Sequence, residues 1–299
     1  MPHEYNADIE RWDLKYYIFD WDDNVLKMPT FIHLERLAPD GAWEPCQIST
    51  SAFALLRNDG VRCRPPGGDW ENAFCEFRDF ATDDESKFLK DARNAMDAIL
   101  SGDAAPEPSF HAFKQAIIEG RIFAIVTARG HKAATLRAGV RLFIDKMLAP
   151  AERAQMLLNL RGYIFCYEGA AANDALSDAE VLERYLSLNR YHAVTSPEFI
   201  DLVNSTEMPN SDRSEVRKRF AIAHFIDYLF DMVHRIGVKK NISVGFSDDD
   251  PANVQAVMEF IRENLAMQFP SVRFVIYDTS DKDAPTGRKI VVSGPLGLF

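Results

Sequence analysis

Three apolar runs of strand length stand out along the chain, and each stops at a polar cluster. Tyr16-Tyr17-Ile18-Phe19 runs into Asp20-Trp21-Asp22-Asp23, Ile122-Phe123-Ala124-Ile125-Val126 into Thr127-Ala128-Arg129-Gly130, and residues 242–247 into Asp248-Asp249-Asp250. Unbroken apolar runs bounded by polar residues fit strands covered on both faces, as in a parallel sheet. Residues 273–277 and 289–292 are weaker strand candidates, and 191–196 is a candidate to return to the sheet. Between the runs, Val216, Phe220, Ala223, Phe225, Ile226, Leu229, Phe230 and Val233 repeat at helical spacing ahead of Gly237. After Pro251, Val254, Val257, Met258, Ile261 and Leu265 do the same. Strands alternating with helices predict right-handed βαβ units: a Rossmann-like α/β fold whose parallel sheet is flanked by helices. Ligands of such sheets bind beyond the carboxyl ends of the strands, which here carry the three polar clusters.

Two intervals are too long for a single crossover. Residues 28–109 contain Arg64-Pro65-Pro66-Gly67-Gly68 and then a helix-like stretch over 83–100, and are predicted to form an inserted, mainly helical cap. Trp43, Trp70, Phe74, Phe77 and Phe80 read as the core of that cap, and Trp21 as packing or a cleft wall. Residues 136–190 are predicted to be a second helical insertion within a core made of 1–27 and 110–299.

Composition narrows the class. Of 299 residues, 47% are hydrophobic and 26% charged, which suits a globular chain with a sizeable core. The net charge of −11 argues against broad contact with nucleic-acid phosphates, though it leaves room for a local basic pocket holding one phosphate. Cys46, Cys63, Cys75 and Cys166 form no CxxC and have no closely spaced His, so zinc is not expected. The opening stretch lacks the apolar run of a secretory signal, and no run approaches the roughly 20 apolar residues of a membrane span. A cytoplasmic enzyme with reduced thiols and no membrane partner is the expectation.

An acid-x-acid triplet alone is weak, because about seven arise by chance at this composition. Its context is what is uncommon: an apolar strand leading directly into Asp20-x-Asp22, and two further strands ending in Thr127 and in an Asp run. On these residues the chain resembles the haloacid dehalogenase-like (HAD) phosphohydrolase superfamily. Phe19-Asp20-Trp21-Asp22-Asp23-Asn24-Val25-Leu26 matches its first motif except that Asn24 stands where Thr is usual; residues 125–129 match the second and 244–250 the fourth. The resemblance implies that Asp20 is a nucleophile forming an aspartyl-phosphate and that Asp22 is the general acid and base. It also implies that Thr127 and the Ala128 N–H hold the phosphate, and that Lys218 neutralises it, with Lys239 and Lys240 as alternatives.

Chemistry supports these roles. A carboxylate can attack phosphorus and divide one hard displacement into two, and a second acid on the same loop can move the protons. Carboxylates about 5 Å apart at an effective dielectric near 20 repel by roughly 3 kcal/mol, so a cation is needed. All-oxygen ligands point to Mg²⁺ held by Asp20, the backbone carbonyl of Asp22 and acids of the 248–250 run; the spacing that the resemblance implies favours Asp248 and Asp249, with Asp250 as an alternative. Arg129 and His131 are loop residues near the phosphate position. The expected function is Mg²⁺-dependent hydrolysis of a small phosphate monoester such as a nucleotide or sugar phosphate. A polynucleotide 3′-phosphatase and a non-catalytic phosphate-binding module are the alternatives. A dehalogenase needs no acid at position 22, a transport ATPase would carry membrane spans, and no GxxxxGK[ST] marks a P-loop kinase.

Overall fold

The computed structural model describes residues 3–56, 62–80, 86–206, 214–237, 239–281, 284 and 286–292. After a 3-10 helix (Ala7–Arg11) come β1 (Leu14–Phe19), β2 (Ile32–Leu37), β3 (Trp43–Ile48), the helix α1 (Thr50–Leu56) and the short β4 (Cys63–Arg64). The helices α2 (Trp70–Ala73), α3 (Lys87–Ser101) and α4 (Phe110–Ile118) lead to β5 (Phe123–Thr127). Helices α5 (Ala133–Met147), α6 (Pro150–Glu168), α7 (Ala170–Ala175) and α8 (Asp178–Leu188) then fill the crossover to β6 (Arg190–Ala193). Next come α9 (Pro197–Asn204), α10 (Ser214–Ile236), β7 (Ile242–Asp248), α11 (Pro251–Phe260), a π-helical turn and α12 (Ala266–Gln268). The described elements end with β8 (Val272–Asp278) and β9 (Arg288–Val292).

Six strands make the central sheet in the order β6-β5-β1-β7-β8-β9, all parallel except β9. This is the α/β arrangement expected from the alternating runs. Its faces are sorted by side-chain alternation along each strand. Tyr16, Ile18, Ala124, Val126, Val244 and Phe246 pack under α9, α10 and α11, whereas Phe19, Phe123 and Ile125 pack under α3 to α6 and α8. Phe113 of α4 is fully buried and meets the rings of Phe19, Trp21, Phe123 and Phe143 at 5.0–5.8 Å. Burying such a ring is worth about 1.5–3 kcal/mol. Trp21 is fully buried against Phe88 and Phe113, so it is packing, and it anchors the loop between Asp20 and Asp22.

The segment 28–109 holds helices, as expected of the inserted segment, and also a sheet that is not expected. Its first half is an antiparallel sheet in the order β3-β2-β4, with a small apolar cluster of Ile32, Leu34, Ala73 and Phe77. The alternation Ile32-His33-Leu34-Glu35 carries a strand signal, but it is too short to decide without the pairing that stabilises it. Trp70 and Phe80, predicted as cap core, are half-exposed, while Phe77 is buried. The predicted helix over 83–100 is observed as α3; residues 83–85 lie outside the described residues. Phe88, Ala92, Ala95 and Met96 of α3 join the main core against α5. Gly139 of α5 permits that approach: a Cβ there would lie 2.4 Å from Phe88 Cε1. The helices of 136–190 likewise form the layer on that face of the sheet. None of the described helices is long and apolar enough to cross a membrane.

Candidate functional site

The sheet order places β1 at the point where the chain reverses direction. From β1 the chain moves outward through β5 to β6, then returns to β7 on the other side of β1. Crevices at such switch points, beyond the carboxyl ends of the strands, are where open α/β sheets bind ligands. Register delivers the acids there together: Phe19 is opposite Ser247, and the Asp20 N–H donates to the Ser247 carbonyl at 3.0 Å.

Asp20, Asp248 and Lys218 form one buried network. Lys218 Nζ, near the start of α10, donates to Asp20 Oδ1 at 3.2 Å and Asp248 Oδ2 at 2.8 Å. All three are at most 6% exposed. Asp248 Oδ1 also accepts from the Asp250 N–H and from Asn253 Nδ2. Burial and the neighbouring Asp248, Asp249 and Asp22 push the Asp20 carboxyl well above its ordinary range, against the pull of Lys218. Burial, then Asp248 and Asp23, raise Asp249 to about 8. Burial works against the Lys218 charge, but Asp20 and Asp248 outweigh it and hold the ammonium above its ordinary range. Asp20, Asp248 and Asp249 bring oxygens within 4.8 Å of one another. Three carboxylates facing one ammonium leave an excess of negative charge that protons or a cation must answer. An all-oxygen set of this kind suits a hard divalent cation. Asp250 instead caps α11, its carboxylate accepting from the Ala252 N–H at 2.8 Å.

Asp22 stands apart from the carboxylate group. Arg129 grips it with two prongs, Nε to Oδ2 at 2.8 Å and Nη2 to Oδ1 at 2.6 Å, and Thr127 Oγ1 lies 3.3 Å from Oδ2. Its hydrogen-bond partners are thus a guanidinium and a hydroxyl, while its charge still reaches Asp20. Arg129 is 1% exposed, and its Nη2 donates to Thr30 Oγ1, which in turn donates to Asp91. Its guanidinium lies over the rings of Phe77 and Phe88. The loop-residue reading of Arg129 is therefore replaced by a structural tie between the β5 loop, Asp22 and the inserted segment. A second tie is the hydrogen bond from the Gly130 N–H to the Phe77 carbonyl. His131 is fully buried against Phe88; burial and Arg129 lower its pKa to about 4. Ala128 is exposed, with its carbonyl accepting from Thr195 Oγ1.

Asn24 closes the loop. Its Nδ2 donates to the carbonyls of Asp20 and Ser247 and to Ser247 Oγ, and its Oδ1 accepts from Thr279 Oγ1 at 2.8 Å. One fully buried amide thereby joins the ends of β1, β7 and β8. Asp23 turns the same loop with φ +52°, a region Asp tolerates better than most residues, and its carboxylate accepts from Thr50 Oγ1 of α1 at 2.5 Å.

The two alternative lysines are placed elsewhere. Lys240 Nζ donates to the Ile9 carbonyl at the amino end of the sheet, and Lys239 is exposed beside it. Sequence reasoning missed Thr30, Asp91, Ser247, Asn253 and Thr279; only the unusual Asn24 hinted at such a network. The four cysteines are free and half-buried. Comparison with family models, with curated proteins and with solved structures found no match.

Proposed function

We propose that the protein is a Mg²⁺-dependent phosphomonoester hydrolase of HAD-like type, acting on a small phosphorylated molecule. The observation that carries this reading is the buried bridge of Lys218 between Asp20 and Asp248 at the switch point of the sheet. A fixed ammonium beside a carboxylate, with further acids at hand, suits attack on a dianionic phosphate.

In this mechanism Asp20 attacks phosphorus; its Oδ–P bond forms as the bond from phosphorus to the ester oxygen breaks, leaving an aspartyl-phosphate. Asp22 must enter this step as the carboxylic acid: it gives that proton to the departing oxygen, is left as the carboxylate that Arg129 grips, and takes a proton back from the water that cleaves the aspartyl-phosphate. Arg129 keeps the Asp22 carboxylate on the loop two residues beyond the nucleophile, and Thr127, which meets Asp22, offers its hydroxyl to a phosphate oxygen. Lys218 holds its proton throughout and balances the charge of Asp20 and the phosphate. Asp20, Asp248 and Asp249 would hold Mg²⁺, with the Asp22 carbonyl as a further oxygen; when bound, the ion supplies charge neutralisation that lets an anionic nucleophile approach an anionic substrate. The segment 28–109 acts as the cap, reaching the site through Thr50, Thr30 and Phe77.

The test is hydrolysis of an aryl phosphate and of a panel of nucleotides, sugar phosphates and 3′-phosphorylated oligonucleotides, with Mg²⁺ and with EDTA. Activity that needs Mg²⁺ and disappears in a folded Asp20→Asn variant is expected. Turnover retained by Asp20→Asn removes Asp20 as nucleophile. An inactive, well-folded wild-type protein across the whole panel replaces the enzyme with a phosphate-binding module.

A further inference from the structure

A cavity of about 220 Å³ opens at the amino end of the sheet, opposite the carboxylate site. Its walls come from the start of β1, the turn before β5, and helices α6, α8 and α10. From Leu14 at its edge, β1 runs about 20 Å to Asp20, so the cavity is separate from the site already described.

The lining is apolar with a few polar groups, the composition of a small-molecule pocket. Leu160, Ile164 and Met232 supply aliphatic surface, while Tyr16, Tyr163 and Tyr167 supply rings. Tyr163 and Tyr167 are stacked with centroids 6.4 Å apart, and the Tyr167 hydroxyl is buried with no hydrogen-bond partner among the described residues. The Tyr185 hydroxyl, by contrast, is already engaged by the Arg121 carbonyl. Size limits the occupant: a dry cavity of about 150 Å³ accommodates benzene, and drug-sized ligands need about 300 Å³ or more. One ring with a short substituent fits between these limits. Charge adds the last constraint. The charged lining residues are Lys15, Arg121, Arg184 and Glu168; Arg121 is paired with Glu119 and Arg184 with Glu168, while Lys15 has no ion pair among the described residues. Lys15 and the Arg184–Glu168 pair are exposed, which leaves Lys15 as the cation free to meet an anion at the mouth.

We propose that this cavity binds a small aromatic carboxylate, with the ring among the tyrosines and Leu160 and the carboxylate toward Lys15. Titration calorimetry of the full chain with phenylacetate and with neutral benzyl alcohol tests it. Phenylacetate should bind saturably in the millimolar range or tighter, and more tightly than the alcohol. Lys15→Gln should weaken phenylacetate several-fold while leaving the alcohol unchanged, the effect expected of an exposed ion pair. Met232→Trp, which fills the space, should abolish binding of both; Ile236→Trp at the exposed rim replaces it if the first variant does not fold. Asp20→Asn should bind phenylacetate as the wild type does, separating this site from the proposed catalytic one. Absence of saturable binding to the wild type, or unchanged binding in a folded cavity-filled variant, overturns the site. Equal affinity for acid and alcohol overturns the carboxylate assignment.

Discussion

Replacing Lys218 by Met is the sharpest test of the buried network. Met matches the length of the side chain and removes only the charge and its donors. At an effective dielectric near 20, contacts of 3.2 and 2.8 Å each carry about 5–6 kcal/mol of gross attraction, which offsets the desolvation of three buried groups. Stripping one partner from such a network costs about 3–5 kcal/mol, because Asp20 and Asp248 remain buried without their counter-charge. At about 2 °C per kcal/mol for a chain of this size, the melting temperature should fall by roughly 6–10 °C. The assay is thermal unfolding of both proteins in EDTA at pH 8 and pH 5. Lys218 is held above its ordinary range, so its own contribution is present across this interval and is lost only at more alkaline pH. The deficit should shrink at pH 5, where protons relieve the unpaired carboxylates, and Mg²⁺ at pH 8 should restore part of it. A variant as stable as the wild type in EDTA at pH 8 would refute the reasoning, since Asp20 and Asp248 would then not depend on the ammonium. A deficit present in EDTA but untouched by Mg²⁺ would uphold the network and count against the cation site.

The same acids predict a pH dependence in the wild type. Asp20 and Asp249 have raised folded values, so metal-free stability should decline as pH rises from about 4 toward about 8, and Mg²⁺ should stabilise more at pH 8 than at pH 5.5; melting curves with and without Mg²⁺ that run parallel across this range would contradict it. His131 has the opposite sign: lowered from 6.5 to about 4, it makes the fold lose up to about 3 kcal/mol as pH falls through that window. In urea titrations from pH 7 to 4, His131→Leu should flatten that decline, and an unchanged slope would clear His131 of the effect. Asn24→Ala should cost about 2–4 kcal/mol in urea unfolding, because it leaves buried carbonyl and hydroxyl groups unpaired. Asn24→Thr should recover only part of this, since a single hydroxyl donor cannot serve three acceptors.

Local pattern and long-range pairing divided the determination of this molecule. The strands β1, β5 and β7 and the amphipathic face of α10 were legible because side-chain alternation and helical spacing are properties of neighbours in the chain. The strand ends were legible for the same reason, which is why Asp20, Thr127 and Asp248 could be placed at one edge of a parallel sheet before any contact was known. Sequence position alone did not separate Lys218 from Lys239 and Lys240. The fold separates them, because α10 delivers Lys218 to an acid 198 positions away while Lys240 lies at the other end of β7. The grip of Arg129 on Asp22 spans 107 residues, and the Asn24–Ser247 contacts span 223. No spacing rule reaches that far; such pairs exist only after strand register and helix packing bring them to one place. The antiparallel sheet within 28–109 and the entry of α3 into the main core were decided in the same way. A six-residue strand or one face of a helix has no fixed partner in its own sequence, and what it buries against is chosen by the surfaces the rest of the chain presents.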